Sequence, residues 1–183
     1  QQTKNLNELY QERIDNLNIK TTITTNKWLY NYQYAGLIAK YFNNARIIHC
    51  LRNPLDNILS IYRANFDKGN LYSSSISDCA KVYSNHIEAM NYYKQRYSSK
   101  IYKLDYDQLV FDPEQQIKKL ISWLNLEWDE LYLQPHLNKR IITTASNVQA
   151  RKPINSKSVN GSINYMEMLE PAIKYFQKQN NIL

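Results

Sequence analysis

The stretch ARIIHCLRNPLDNILSIY, residues 45–62, constrains the chain more than any other. Its apolar run RIIHCL (46–51) has the length of a buried strand, yet it ends on Arg52, a cation that a core cannot absorb. Asn53 and Pro54 then read as an N-cap and the first residue of a helix whose buried stripe is Leu55, Ile58, Leu59 and Tyr62. A strand that runs straight into a helix predicts an α/β domain in which Arg52 leaves the core at the strand's carboxyl end. In an open parallel sheet that edge is where ligands bind, beside helix N-termini that present free N–H groups.

The rest of the chain fits the same class. Residues 4–18 space Leu6, Leu9, Tyr10, Ile14 and Leu17 as an amphipathic helix. TTITT (21–25) reads as a β-branched strand, and YNYQYAGLIAKYF (30–42) as the helix of a βαβ unit. Beyond a polar loop at 67–77, residues 78–97 form a long helix and KIYKLDY (100–106) a third strand. Asp112, Pro113 and Gln115 cap a helix over 113–126 with Ile117, Leu120, Ile121 and Leu124 on its apolar face. Residues 133–163 lack periodicity, and a last helix covers 165–180. A sheet of about three strands is thin for a doubly wound fold, so the reading is one α/β domain over residues 1–183 with an incomplete sheet.

Charge narrows the partners. The 23 Lys and Arg outnumber 16 Asp and Glu, a formal charge of +7 that favours an anionic ligand. The basic residues are dispersed and the 16 tyrosines scattered, which disfavours nucleic acid. Cys50 and Cys79 match no metal spacing, so free thiols in a reducing, cytoplasmic compartment and no metal are expected. No apolar run reaches the roughly 20 residues of a membrane span, and a soluble chain is expected.

At the carboxyl end of the first long strand, Arg52 would be joined by Asp56, Ser60 and Arg63 on one helix face. Guanidinium forks and a hydroxyl suit a phosphate. The plainer alternative is a solvated sheet edge with a structural Arg52–Asp56 pair. Lys27 follows TTITT as Arg52 follows its own strand, so both cations would project over one edge. His49 and His86 sit on apolar faces and His136 in a loop, and each reads as structural.

Three segments in order, TNKWLYNYQYAGLIAKYFNNARIIHCLRNPLDNILSIY, LDYDQLVFDPEQQIKKLISWLNLEWDE and TTASNVQARKPINSKSV, resemble the sulfotransferases that use 3′-phosphoadenosine-5′-phosphosulfate. The likeness is to the bacterial branch close to the tyrosylprotein sulfotransferases. It implies a P-loop-NTPase-like three-layer fold, a nucleotide sulfonate donor with adenosine 3′,5′-bisphosphate as product, and a hydroxyl-bearing acceptor. It also implies that Arg52 and Ser60 hold the 3′-phosphate, that Lys27 contacts the transferring sulfonate and its bridging oxygen, and that Tyr106 lies against the adenine. Ser146 would assist near the phosphosulfate, with Arg151 and Lys152 in the loop that closes over the nucleotide.

The departures from the family pattern are specific. Its strand–Arg–Ser–Gly–Thr–helix loop has no counterpart among residues 1–183, and no catalytic base can be named. Gly161, Ser162 and Ile163 stand where a basic residue and a tryptophan are usual. Arg63 lies one step before the arginine of the tyrosylprotein branch, where this chain has Ala64. These departures keep a second reading open, an inactive relative acting as an interaction module, and net charge alone supports a third, a basic nucleic-acid binder.

Overall fold

The computed structural model describes residues 5–17, 21–64, 66, 69–138 and 151–179. Its sheet has two strands, β1 (Ile47–Leu51) and β2 (Ile101–Asp105), paired in parallel with Ile47 opposite Ile101 and Leu51 opposite Asp105. The crossover between them runs through α3 (Pro54–Ala64), a short 3-10 turn at Leu71–Ser74 and α4 (Ile76–Arg96). Before β1 come α1 (Leu6–Asp15) and α2 (Asn31–Tyr41); after β2 come α5 (Tyr106–Phe111), α6 (Pro113–Leu124) and α7 (Glu170–Gln179). The α/β class expected from the sequence is the one observed.

TTITT is not a strand. Residues 21–25 are exposed and pair with no strand among the described residues, so the parallel crossover joins β1 to β2. β-branched propensity favours extended backbone, but a strand needs a partner ladder to satisfy its amides. The amphipathic helix at the start forms, with Asn5 and Glu8 making a reciprocal capping box, yet it buries none of its residues. Leu6 and Leu9 remain exposed and Tyr10 meets Phe42 edge-on at 5.4 Å. The last helix, expected from residue 165, is shorter than its pattern: it runs from Glu170, and residues 166–169 form a turn after the 3-10 segment Gly161–Tyr165.

The main core lies where α3, α4 and α7 meet. Leu55, Ile58 and Leu59 of α3 pack on Cys79, Ala80 and Tyr83 of α4 and on Leu169, Ala172 and Phe176. Tyr62, expected in that stripe, is exposed and takes no part in this cluster. Burial pushes the Cys79 thiol up to about 11, with the charge of Asp78 adding to it. A second cluster joins Ala35 of α2, Met90 of α4 and Ile101 of β2. Here Gly36 earns its place, since a Cβ there would lie 2.5 Å from the Tyr93 ring. The opposite face of the sheet meets α6 through Tyr102 and Trp123, 5.2 Å apart. Helices therefore lie on both faces, but on the α6 side Ile48 and Cys50 of β1 stay exposed, so the run RIIHCL is not the fully buried strand its composition suggests.

His49 of β1 and His86 of α4 meet between these layers, their Nε2 atoms 2.9 Å apart, with Tyr32 edge-on to His86. Both were expected to be structural, and both are enclosed. Burial, then the neighbouring His86 and Lys103, lowers His49 to about 4. Burial also lowers His86. A base depressed below its unfolded value of 6.5 takes up its proton more readily in the unfolded chain, so stability rises with pH between about 4 and 6.5 and is lost as pH falls through that window. Urea unfolding at pH 4.5 is expected to show roughly 2 kcal/mol less stability than at pH 7, and His49→Gln to flatten the difference. An equal slope in both proteins would contradict this assignment.

Candidate functional site

Because β1 and β2 are parallel and Leu51 pairs with Asp105, the next residue of each strand, Arg52 and Tyr106, emerges at the same edge. The Arg52 guanidinium lies over the Tyr106 ring, 5.2 Å from its centroid. A third residue joins them from far along the chain. Ser158 accepts a hydrogen bond at its carbonyl from Nη2 of Arg52, and its Oγ is 3.1 Å from the Tyr106 hydroxyl. Arg52 Nε is buried and has no partner among the described residues, so this guanidinium keeps an unsatisfied donor.

Four neighbours hold this corner. Tyr83 of α4 donates its hydroxyl to the Arg52 carbonyl at 3.1 Å. Asp107 accepts the Asn53 amide at 3.0 Å, while its other oxygen is buried without a partner among the described residues. Asn53 caps α3 by accepting from the amides of Leu55 and Asp56 at 3.0 and 3.2 Å. Asp56 is only 2% exposed and accepts from the amides of Asn160 and Ser162, each at 2.7 Å, with one oxygen 3.9 Å from Arg52 Nη2.

These contacts correct one expectation. The N-terminus of α3 does not offer free amides to an anion, since Asn53 and Asp107 already take those that face the edge. The cap forms because an Asn side chain reaches its own helix more cheaply than a ligand can. Asn53→Ala is expected to lower stability by about 1 kcal/mol and to reopen the Leu55 and Asp56 amides, which thermal unfolding and amide exchange would register.

The other sequence-derived residues are not gathered here. Ser60 and Arg63 are exposed on α3 and make no hydrogen bond or ion pair among the described residues. Asp56, expected to share their face, is buried instead, with its carboxylate held by the amides of Asn160 and Ser162. Lys27 is exposed, and with TTITT not a strand the reason for placing it over the same edge as Arg52 is gone. Arg151 donates to the Asn138 carbonyl and Lys152 is exposed. Ser146 lies outside the described residues.

Sequence reasoning missed Ser158, Tyr83 and Asp107. The Asn160-Gly161 pair was a signal for the turn that carries Ser158: such dipeptides mark tight turns, and Asn160 takes φ 58° there. Nothing in the sequence signalled Tyr83 or Asp107. Among the described residues, no group of three or more His, Cys, Asp or Glu could hold a metal ion, and no helix is long and apolar enough to cross a membrane.

Comparison with known proteins agrees with this architecture. A model of the sulfotransferase family matches residues 2–130. An uncharacterised protein of Aquifex aeolicus (strain VF5) is 31% identical over 178 residues, which is 96% of this chain and 23% of that protein. Protein-tyrosine sulfotransferase 1 of Danio rerio is 25% identical over 133 residues, 67% of this chain and 37% of the relative. The chain thus spans well under half the length of either curated relative. Among solved structures, the sulfotransferase domain from the curacin biosynthetic pathway superposes with a TM-score of 0.56 at 15% identity, covering 95% of this chain and 67% of that one. At that identity the likeness is one of fold, the P-loop-like α/β fold of a sulfotransferase domain. With the family model matched over most of its length, this chain belongs to the sulfotransferase family.

Proposed function

We propose that the chain is a single sulfotransferase-like domain that supplies the nucleotide side of a sulfonate transfer from 3′-phosphoadenosine-5′-phosphosulfate to an acceptor hydroxyl. The observation that carries this reading is the meeting of Arg52 and Tyr106 at the carboxyl ends of two parallel strands. An aromatic face with a guanidinium above it and a buried, unsatisfied Nε suits a ligand that joins a flat base to a phosphate. Arg52 takes the 3′-phosphate and Tyr106 lies against the adenine. Ser60, Arg63, Arg151 and Lys152 bind the nucleotide from the flanking helix and loop, and Ser146 assists near the phosphosulfate.

In the reaction the acceptor oxygen forms a bond to sulfur as the bond from sulfur to the 5′-phosphate oxygen breaks. Such a transfer runs through a loose transition state, by analogy with phosphoryl transfer, so catalysis rests on positioning and on neutralising the leaving oxygen. Lys27 supplies the positive charge at that bridging oxygen, and the acceptor's proton leaves to a base or to water. Neither step calls for a metal.

Calorimetry with adenosine 3′,5′-bisphosphate tests the binding half, and transfer of labelled sulfonate to candidate acceptors tests the chemistry. Absence of nucleotide binding would overturn the reading. Binding without transfer favours the second reading, an inactive relative that keeps the fold as a nucleotide-binding module. The replacement of the family's usual basic residue and tryptophan by Gly161, Ser162 and Ile163 speaks for that alternative.

A further inference from the structure

Asp56 presents a problem that the binding residues named above do not solve. A carboxylate so enclosed is expensive unless its lone pairs are met, and here two backbone amides meet them at 2.7 Å. Those amides belong to residues more than a hundred positions away, on the turn that follows Ser158. Asn160 of that turn holds a left-handed backbone, an uncommon state for a residue with a side chain. The turn is therefore fastened at both of its ends to one side chain on the first turn of α3. Four residues before that side chain stands Arg52, and two residues before Asn160 stands Ser158.

We propose that Ser158 is a further binding residue at the phosphate end of the nucleotide site, and that Asp56 is the positioning residue that holds it there. The inference rests on the nucleotide reading of Arg52 and Tyr106. Ser158 contacts both: its carbonyl takes one guanidinium N–H, which aims the fork, and its hydroxyl sits 3.1 Å from the Tyr106 hydroxyl. That hydroxyl is exposed and can donate to a phosphate oxygen while accepting from Tyr106. Asp56 is itself kept from the ligand, since both its oxygens are spent on the turn and its charge is offset by Arg52 3.9 Å away. Its contribution is to fix the turn, and through it the wall that Ser158 forms.

Calorimetry on the full chain, with adenosine 3′,5′-bisphosphate and adenosine 5′-monophosphate as paired probes, tests this. Ser158→Ala lies on an exposed residue and should fold normally, weakening the bisphosphate about 5-fold and leaving the monophosphate unchanged. Asp56→Asn keeps the shape but sets an amide against a backbone N–H, and about 10-fold weaker bisphosphate binding is expected. The double variant should bind about as weakly as Asp56→Asn alone, because once the turn is released the Ser158 hydroxyl is no longer at the site. Amide exchange at Asn160 and Ser162 should accelerate in Asp56→Asn even without nucleotide. Unchanged affinity in Ser158→Ala, equal weakening of both nucleotides, or a double variant in which the two losses multiply would overturn the inference while leaving the nucleotide reading intact. A wild-type chain that binds neither probe overturns both.

Discussion

Arg52→Ala is expected to weaken binding of adenosine 3′,5′-bisphosphate by about 100-fold or more, with little change in the unfolding temperature. Each hydrogen bond to a charged partner contributes about 1.5–3 kcal/mol, and the guanidinium can offer two to one phosphate. The fold should tolerate the change because the strand end is held by the backbone: Tyr83 binds the carbonyl of residue 52 and Asp107 the amide of residue 53. One cost enters on the protein side, since Asp56 loses its nearby cation, but its two amide donors remain. Arg52→Lys separates charge from geometry. It keeps the cation and loses the fork and the stacking on Tyr106, so about 10-fold weaker binding is expected, intermediate between the two proteins. Calorimetry at two salt concentrations checks both, and equal affinity of wild type and Arg52→Ala would remove Arg52 from the site.

Phe176→Ala is expected to cost about 3–5 kcal/mol of folding stability, the range for truncating a buried aromatic. Phe176 is 1% exposed and reaches from α7 into the cluster formed by α3 and α4, with its ring 6.1 Å from that of Tyr83. It is among the largest fully buried side chains of the core, in a cluster with Leu55, Ile58, Leu59 and Tyr83, so its removal leaves a cavity there. Against a stability of about 5–15 kcal/mol for a typical domain, this loss is large. Urea unfolding should show a lower midpoint at unchanged slope. The variant also loosens the packing beside Tyr83, whose hydroxyl fixes the Arg52 carbonyl. Leu71→Ala is a useful control: Leu71 is 83% exposed, so almost no change is expected.

Where the chain departs from its pattern, the reason is the absence of a partner for a locally favoured shape. Residues 21–25 have strand propensity but form no strand, whereas the amphipathic pattern of residues 4–18 does form a helix, over Leu6–Asp15. Neither buries what its pattern promised: among the described residues no strand pairs with residues 21–25, and Leu6 and Leu9 stay about half exposed. RIIHCL and KIYKLDY did form strands, because they found each other across a ladder, yet RIIHCL is not the buried strand its apolar run indicated, since Ile48 and Cys50 stay exposed. Propensity and periodicity act within a few residues, whereas burial is decided by what arrives from elsewhere.

The same division runs through the candidate site. By itself the sequence determined that a strand ends on Arg52, that Asn53 and Pro54 begin a helix there, and that the chain resembles the sulfotransferases. Each of these is local: an apolar run, a cap, a motif in order. Only the tertiary structure decided that Tyr106 lies under Arg52, since this follows from the register of two strands more than fifty residues apart. It alone brought Asp107 onto the Asn53 amide beside that cap, and it alone turned Asp56 from an apparent surface partner of Arg52 into a buried anchor for the turn behind Ser158. A carboxylate's surroundings are set by which backbone amides reach it, and those that reach Asp56 come from residues 160 and 162, more than a hundred positions along the chain.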